Sequence, residues 1–222
     1  MVSKIFQHNS FYTLSQGFYK GTVFLEDVMK KGELGIGTLD GASGELIILD
    51  GKAYKADDQN KINLLNGKES LPYVAVWKAS IYKKLTYKCL SSQEIFSNLM
   101  THFPSKNFLY SLKIMGNFKK VEVTCKSDNN TKSYSEILKT QAHFIQENIE
   151  GTALGIYAPQ HLEQLFGQAF HLHFLSRDKK FGAHLDHFIS EEVTVELGII
   201  HKIEQEFANQ ELDFQDFKFE EK

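Results

Sequence analysis

A mixed α+β protein, built mostly from antiparallel sheets in two packed sheet-rich subdomains with few helices, is what the sequence predicts. Three features lead there. Short β-rich runs recur through the first and last thirds, tight turns bearing Gly and Asp separate several of them, and helix-start signals stand at isolated points without a regular strand–helix alternation. The chain has 222 residues, 42% of them apolar and 24% charged. That suffices for one large domain or two small ones with a real core.

The elements follow in order. Residues 33–39 alternate Leu34 and Ile36 with glycines at 35 and 37, 40–44 (Asp-Gly-Ala-Ser-Gly) form a turn, 45–49 are a dense apolar run, Asp50-Gly51 is a tight turn, and 52–56 lead back. Residues 73–77 and 81–87 are strand-like. Ser91 with Glu94 makes a capping box that opens a helix to about His102, closed by Pro104. Residues 108–115 and 118–125 flank Gly116-Asn117, which predicts a hairpin. Ser133 with Glu136 predicts a second helix, through about Ile145. Residues 152–158 read as a strand, Pro159 starts a helical turn, and 170–175, 183–189 and 193–203 read as strands. A boundary near residues 103–116 divides the chain into subdomains 1–105 and 106–222.

Composition narrows the function. Lys plus Arg is 25 against 28 for Asp plus Glu, a net charge of −3. With no long basic run, this argues against nucleic acid as a partner. No apolar stretch reaches the roughly 18 residues of a membrane span, and the first 20 residues lack a signal-peptide apolar region. Cys89 and Cys125 lie far apart and predict neither a disulfide framework nor a thiolate zinc site, which fits a reducing cytoplasm. Arg177 is the sole arginine, so a bidentate clamp on a carboxylate is possible at one position only.

Of nine histidines, three stand out. His171 and His173 are two apart in a strand and project from one face. A hairpin loop centred between Asp178 and Lys179 pairs His173 with His184 on that face, with Cβ atoms about 4.5–5.5 Å apart. Three imidazoles at that range can bind one Zn²⁺ and leave a coordination position open. An HxH strand is also a cupin signature, which would imply a metal oxygenase. The glutamate that cupins add three or four residues later is missing, because Ser176 and Arg177 stand there, with Asp178 one further. Asp186 shares the face of His184, whereas His187 points the other way. His8, His102, His143, His161 and His201 read as surface or edge residues. Glu45 opens an apolar strand, a costly place for a carboxylate without a partner.

Four co-linear segments carry a family resemblance. They are Gly35-Ile-Gly-Thr38-Leu-Asp-Gly-Ala-Ser-Gly-Glu45-Leu-Ile-Ile-Leu-Asp-Gly51, Asn107-Phe-Leu-Tyr-Ser-Leu-Lys-Ile-Met-Gly-Asn-Phe-Lys119, Gly151-Thr-Ala-Leu-Gly-Ile-Tyr-Ala-Pro159, and Phe170-His-Leu-His-Phe-Leu through Phe181-Gly-Ala-His184. The chain resembles the α-acetolactate decarboxylases. The resemblance implies a cytoplasmic, usually dimeric zinc enzyme that converts 2-acetolactate to acetoin and CO₂. It implies His171, His173 and His184 as metal ligands, Thr38 as a substrate-binding residue and Glu45 as the catalytic carboxylate. Thr38 and Glu45 then belong to subdomain 1–105, the histidines and an acidic tail to 106–222.

The chain departs from the family pattern in places. Counting from Gly116, the family's substrate-binding arginine falls at Thr124, with Lys126, Lys113 and Arg177 as the cations available to replace it. The acid after the third histidine, Asp186, comes one place early. In the tail, Glu220 or Glu221 is the carboxylate available to reach the metal. These departures keep open a metal-binding family member with impaired catalysis.

Overall fold

Two sheets carry nearly all of the chain, and side-chain alternation along their strands decides what lies between them. The computed structural model describes residues 3–128, 130–167 and 169–219. The strands are β1 (Lys4–His8), β2 (Val23–Phe24), β3 (Leu34–Leu39), β4 (Ser43–Leu49), β5 (Lys52–Ala56), β6 (Ile62–Leu64), β7 (Ser70–Leu71), β8 (Tyr73–Trp77), β9 (Lys83–Lys88), β10 (Leu109–Cys125), β11 (Ala142–Ala158), β12 (Ala169–Ser176), β13 (Gly182–Ile200) and β14 (Lys202–Glu206). The helices are short: α1 (Phe11–Ser15), α2 (Leu25–Val28), α3 (Ser92–Thr101), α4 (Tyr134–Lys139), α5 (Glu163–Phe166) and α6 (Leu212–Gln215). Among the described residues, no helix is long and apolar enough to cross a membrane.

One sheet has seven strands in the order β14-β1-β8-β3-β4-β5-β6. The other has five, β10-β11-β12-β13-β9, and an additional β10–β13 pairing closes four of them on themselves. Pairing is antiparallel apart from β1 with β14. The fold is therefore the mixed, largely antiparallel α+β arrangement that the sequence predicts. The sheets exchange strands: β9 joins the five-stranded sheet through β13, and β14 joins the seven-stranded sheet through β1.

Period-two alternation aims one face of each sheet at the other. Leu34 and Ile36 of β3, Ile47 and Leu49 of β4, and Ala75 and Trp77 of β8 share one buried cluster with Leu154, Ile156 and Ala158 of β11 and Leu175 of β12. The opposite faces pack elsewhere. Leu46 and Ile48 meet Leu25 and Val28 of α2, while Leu172 and Phe174 of β12 fill the closed part of the second sheet with Phe118 and Phe188.

Several expectations need correction. Gly116-Asn117 is not a hairpin turn. β10 runs unbroken through it, with Gly116 opposite both Gly151 and Val193 and Asn117 opposite both Glu150 and Glu192. Irregular register on either side of Phe118 absorbs the extra residues. Gly116 holds φ 143°, and a Cβ there would meet the Glu192 carbonyl oxygen at 2.3 Å, so the glycine serves strand packing. The second capping box forms, with Glu136 accepting from the Ser133 backbone and hydroxyl at 3.0 and 2.6 Å. Its helix nevertheless ends at Lys139, because the chain is already extended from Ala142 and pairs with β10 as far as Cys125. The strands expected at 183–189 and 193–203 are one, β13, and the break falls at His201. His8 is buried, not peripheral, because β1 lies between β14 and β8.

Candidate metal and active site

The interlayer core changes character at one end. Following each apolar row by two residues along its strand gives Thr38 after Leu34 and Ile36, Glu45 before Ile47 and Leu49, Tyr73 before Ala75 and Trp77, and His171 and His173 before Leu175. All five line one cavity of about 280 Å³, together with Thr124, Lys126, Tyr134, His184 and Asp186. The sheet alternation that builds the core therefore also aims the polar groups into the cavity.

The histidine geometry is the one read from the sequence. His173 pairs directly with His184 across the β12–β13 hairpin. The ring centroids are 5.5 Å apart for His171 and His173, 5.1 Å for His171 and His184, and 5.5 Å for His173 and His184. One nitrogen from each ring lies within 4.8 Å of the others. Two rings are fixed from behind: Nδ1 of His171 bonds the Phe166 carbonyl at 3.1 Å, and Nδ1 of His173 bonds the Leu46 carbonyl at 2.8 Å. With Nδ1–H donating, Nε2 is left as the acceptor that a metal needs. The second bond crosses from one sheet to the other. Burial pushes the imidazoles down, His171 to about 4 and His173 and His184 well below their ordinary value. They are held neutral, the ligating form.

Glu45 is 1% exposed and has two partners. Its Oε1 accepts from Lys126 Nζ, and its Oε2 lies 3.4 Å from His173 Nε2. Burial raises its carboxyl above the ordinary range against the opposing pull of Lys126. Burial would push the Lys126 ammonium down, but Glu45 outweighs it and the net direction is up. Lys126 follows the end of β10 and is positioned by the segment after it. Asp128 accepts from Ser43 and from Lys55 at 2.7 Å, and Asn130 Nδ2 donates to Ala42 at 3.0 Å and Ser127 at 2.7 Å.

The other predicted residues sort clearly. Thr38 lines the cavity, with its hydroxyl donating to the Gly44 carbonyl at 2.8 Å. Thr124, the counted arginine position, donates to Asp186 Oδ1 at 3.1 Å. Of the candidate cations, Lys126 reaches the cavity. Lys113 pairs with Asp50 at 2.7 Å, and Arg177 clasps Glu150 with bonds of 2.8 and 2.7 Å on the surface. Asp178, the nearest acid to a cupin pattern, is held in the hairpin loop by Ser176 at 2.7 Å. Glu220 and Glu221 lie outside the described residues. No motif in the sequence marks Tyr73, Tyr134 or Phe11 as site residues, although continuing the β8 row from Trp77 through Ala75 reaches Tyr73.

The family model described as alpha-acetolactate decarboxylase matches residues 5–221. The alpha-acetolactate decarboxylase of Lactococcus lactis subsp. cremoris is 36% identical over 217 residues, covering 96% of this chain and 91% of that protein. The one from Streptococcus thermophilus is 32% identical, covering 97% and 92%. A crystal structure from Staphylococcus aureus, described as a protein of unknown function similar to alpha-acetolactate decarboxylase, superposes with a TM-score of 0.95 at 27% identity, covering 98% of this chain and 94% of that one. The alpha-acetolactate decarboxylase of Bacillus subtilis shares the fold, with a TM-score of 0.93 at 24% identity and coverages of 99% and 94%. Motif order, histidine geometry and these matches agree: the chain belongs to the alpha-acetolactate decarboxylase family, a family of carboxy-lyases.

Proposed function

We propose that the protein decarboxylates 2-acetolactate to acetoin and CO₂, using Zn²⁺ held by His171, His173 and His184. The observation that carries the reading is the convergence of three neutral imidazoles, His173 buried and His171 and His184 partly so, beside a buried carboxylate, in a chain of this family. The donor set suits zinc. Three nitrogen ligands with no thiolate are the pattern of an ion that keeps an open position for substrate. The backbone carbonyls behind His171 and His173 fix the tautomer such a site requires.

Acetolactate carries its ketone next to the carbon that bears the carboxylate. When the bond to CO₂ breaks, the electron pair moves toward that ketone, leaving an enediolate. A bound zinc ion supplies Lewis acidity that makes this shift easier without an organic cofactor. Closing the reaction needs one proton at the carbon that lost CO₂. Glu45 is suited to deliver it, because burial raises its hold on a proton and its strand fixes the face from which the proton arrives. Lys126 supplies a positive charge within the cavity. As a single ammonium it orients a carboxylate less strictly than a guanidinium fork would. The surrounding apolar wall, Phe11 and Leu14 among it, keeps water from competing for that proton.

Cytoplasmic placement and a homodimer belong to the same proposal. Two free cysteines, one exposed and one buried, fit a reducing compartment. The deciding experiment incubates the zinc-loaded protein with racemic acetolactate and measures acetoin and CO₂. Stoichiometric production that stops when zinc is chelated upholds the reading. Absence of acetoin from protein carrying one zinc per chain favours the impaired metal-binding alternative, and oxygen consumption with iron or manganese favours the oxygenase.

A further inference from the structure

Of the polar groups lining the cavity that the proposed reaction does not use, Tyr73 stands apart. Tyr73 stands opposite Thr38 on the β3–β8 ladder, lines the cavity and is 1% exposed. Its hydroxyl has no hydrogen-bond partner among the described residues. Phe11 packs edge-on to its ring, with centroids 6.1 Å apart, and meets Tyr134 at 5.8 Å and His171 at 5.9 Å. One phenylalanine thus ties Tyr73 to the wall that carries the histidine cluster.

A buried hydroxyl without a partner has given up water for nothing, and a phenylalanine of the same shape would avoid that cost. Among the described residues, no side chain around the cavity pairs with it. Thr38 donates to Gly44, Thr124 to Asp186 and Lys126 to Glu45, and Nδ1 of His171 and of His173 bonds a backbone carbonyl. Burial raises the Tyr73 phenol far above its ordinary range, so it stays protonated and is a donor at any working pH.

We propose that Tyr73 Oη is a substrate-binding group, donating a hydrogen bond to an oxygen of the small hydroxy-keto acid that occupies the cavity. The proposal rests on the decarboxylase reading above and adds a recognition element to it. Acetolactate bears oxygen on three adjacent carbons, and its central carbon carries a methyl group as well as a hydroxyl. A lone neutral donor distinguishes these substituents, because a methyl against Oη leaves the hydroxyl unsatisfied whereas an oxygen satisfies it.

The test is Tyr73→Phe, with three measurements. Urea denaturation of the ligand-free protein should give equal or higher stability. Calorimetry of zinc-loaded protein with 2,3-dihydroxy-2-methylbutanoate, the ketone-reduced analogue that cannot lose CO₂, should show affinity reduced by about tenfold. Turnover of acetolactate should show a raised KM if the bond is to ground-state oxygen, or a lowered kcat if it is to the oxygen where charge develops; either upholds the proposal. Unchanged affinity and kinetics overturn it, as does a loss of stability, which would mean that the hydroxyl holds the fold. A wild-type protein that neither makes acetoin nor binds the analogue removes the decarboxylase reading and this inference together. A normal wild type with an indifferent Tyr73→Phe variant removes this inference alone.

Discussion

Lys126 and Glu45 form an ion pair in the wall of the histidine cavity, with the two residues 5% and 1% exposed. The pair joins the segment after β10 to the start of β4, and so links the two sheets at the site. Breaking a buried pair from one side costs more than deleting both halves, because a stranded charge remains. Lys126→Met should destabilise the metal-free protein by about 3–5 kcal/mol at neutral pH. Adding Glu45→Leu in that background should recover most of the loss. Urea midpoints of the two variants check this.

Glu45→Gln keeps the shape of the side chain but cannot carry a proton. Turnover of acetolactate should fall by about 10²–10⁴-fold, the range for general acid–base groups, with far-UV circular dichroism unchanged. Full turnover in the variant would leave Glu45 as no more than the partner of Lys126.

His173→Ala removes the most deeply buried imidazole of the three and its bond to Leu46. Elemental analysis after dialysis should show zinc falling from one per chain to a small fraction. His187→Ala serves as the control, since His187 turns away to Ser92 at 2.7 Å, and its zinc content should be unchanged.

Gly155 faces Leu172 across the β11–β12 ladder, and a Cβ there would lie 2.0 Å from the His171 carbonyl oxygen and 2.7 Å from Leu172 Cα. Gly155→Ala should push β12 away and carry both of its histidines with it. The expected cost is about 1–3 kcal/mol of stability, with weaker zinc retention against a competing chelator. Chelator competition that matches wild type would mean that β11 yields instead of β12.

His8 is 1% exposed, and burial lowers its pKa from 6.5 to about 4. Between those values the unfolded chain binds a proton that the folded protein refuses. Stability is thus full above about pH 6.5 and declines as the pH falls toward 4, by up to about 3 kcal/mol from this group. Nε2 bonds Thr22 at 2.7 Å, and Nδ1 lies 3.5 Å from Glu206, which would soften the decline by accepting the imidazolium. His8→Gln, measured in zinc-loaded protein so that the cavity histidines stay fixed, should flatten the pH dependence in that window. A slope equal to wild type would mean that Glu206 already holds His8 charged.

The site was legible in the sequence wherever one local rule decided it. Strand alternation put His171 and His173 on one face, and the polar loop 176–181 set the register that brings His184 against His173. Glu45 was conspicuous because a carboxylate opened an apolar run. Where a local signal competed with pairing on both flanks, the reading failed. Gly116-Asn117 has the composition of a turn, but β11 and β13 take both residues into a continuous ladder. The helix after Ser133 is helical in pattern through Ile145, yet the β10 edge draws the chain into a strand from Ala142. Lys126 was one of three candidate cations, and only the packing of Asp128 and Asn130 on the 42–43 turn and Lys55 decides among them. Tyr73 gives no such signal, because a tyrosine in an apolar strand reads as core and only the fold leaves its hydroxyl without a partner among the described residues.

The exchange of β9 and β14 between the sheets also has a bearing on biosynthesis. β1 leaves the ribosome first, but its outer neighbour is residues 202–206. β9 emerges before residue 90, but it must wait for Glu192 through Leu197. At about 5–20 residues per second, β1 waits roughly 10–40 s and β9 roughly half as long. Throughout these waits, unpaired strand edges stand open to other nascent chains, so the burden on chaperones falls before any catalysis is possible.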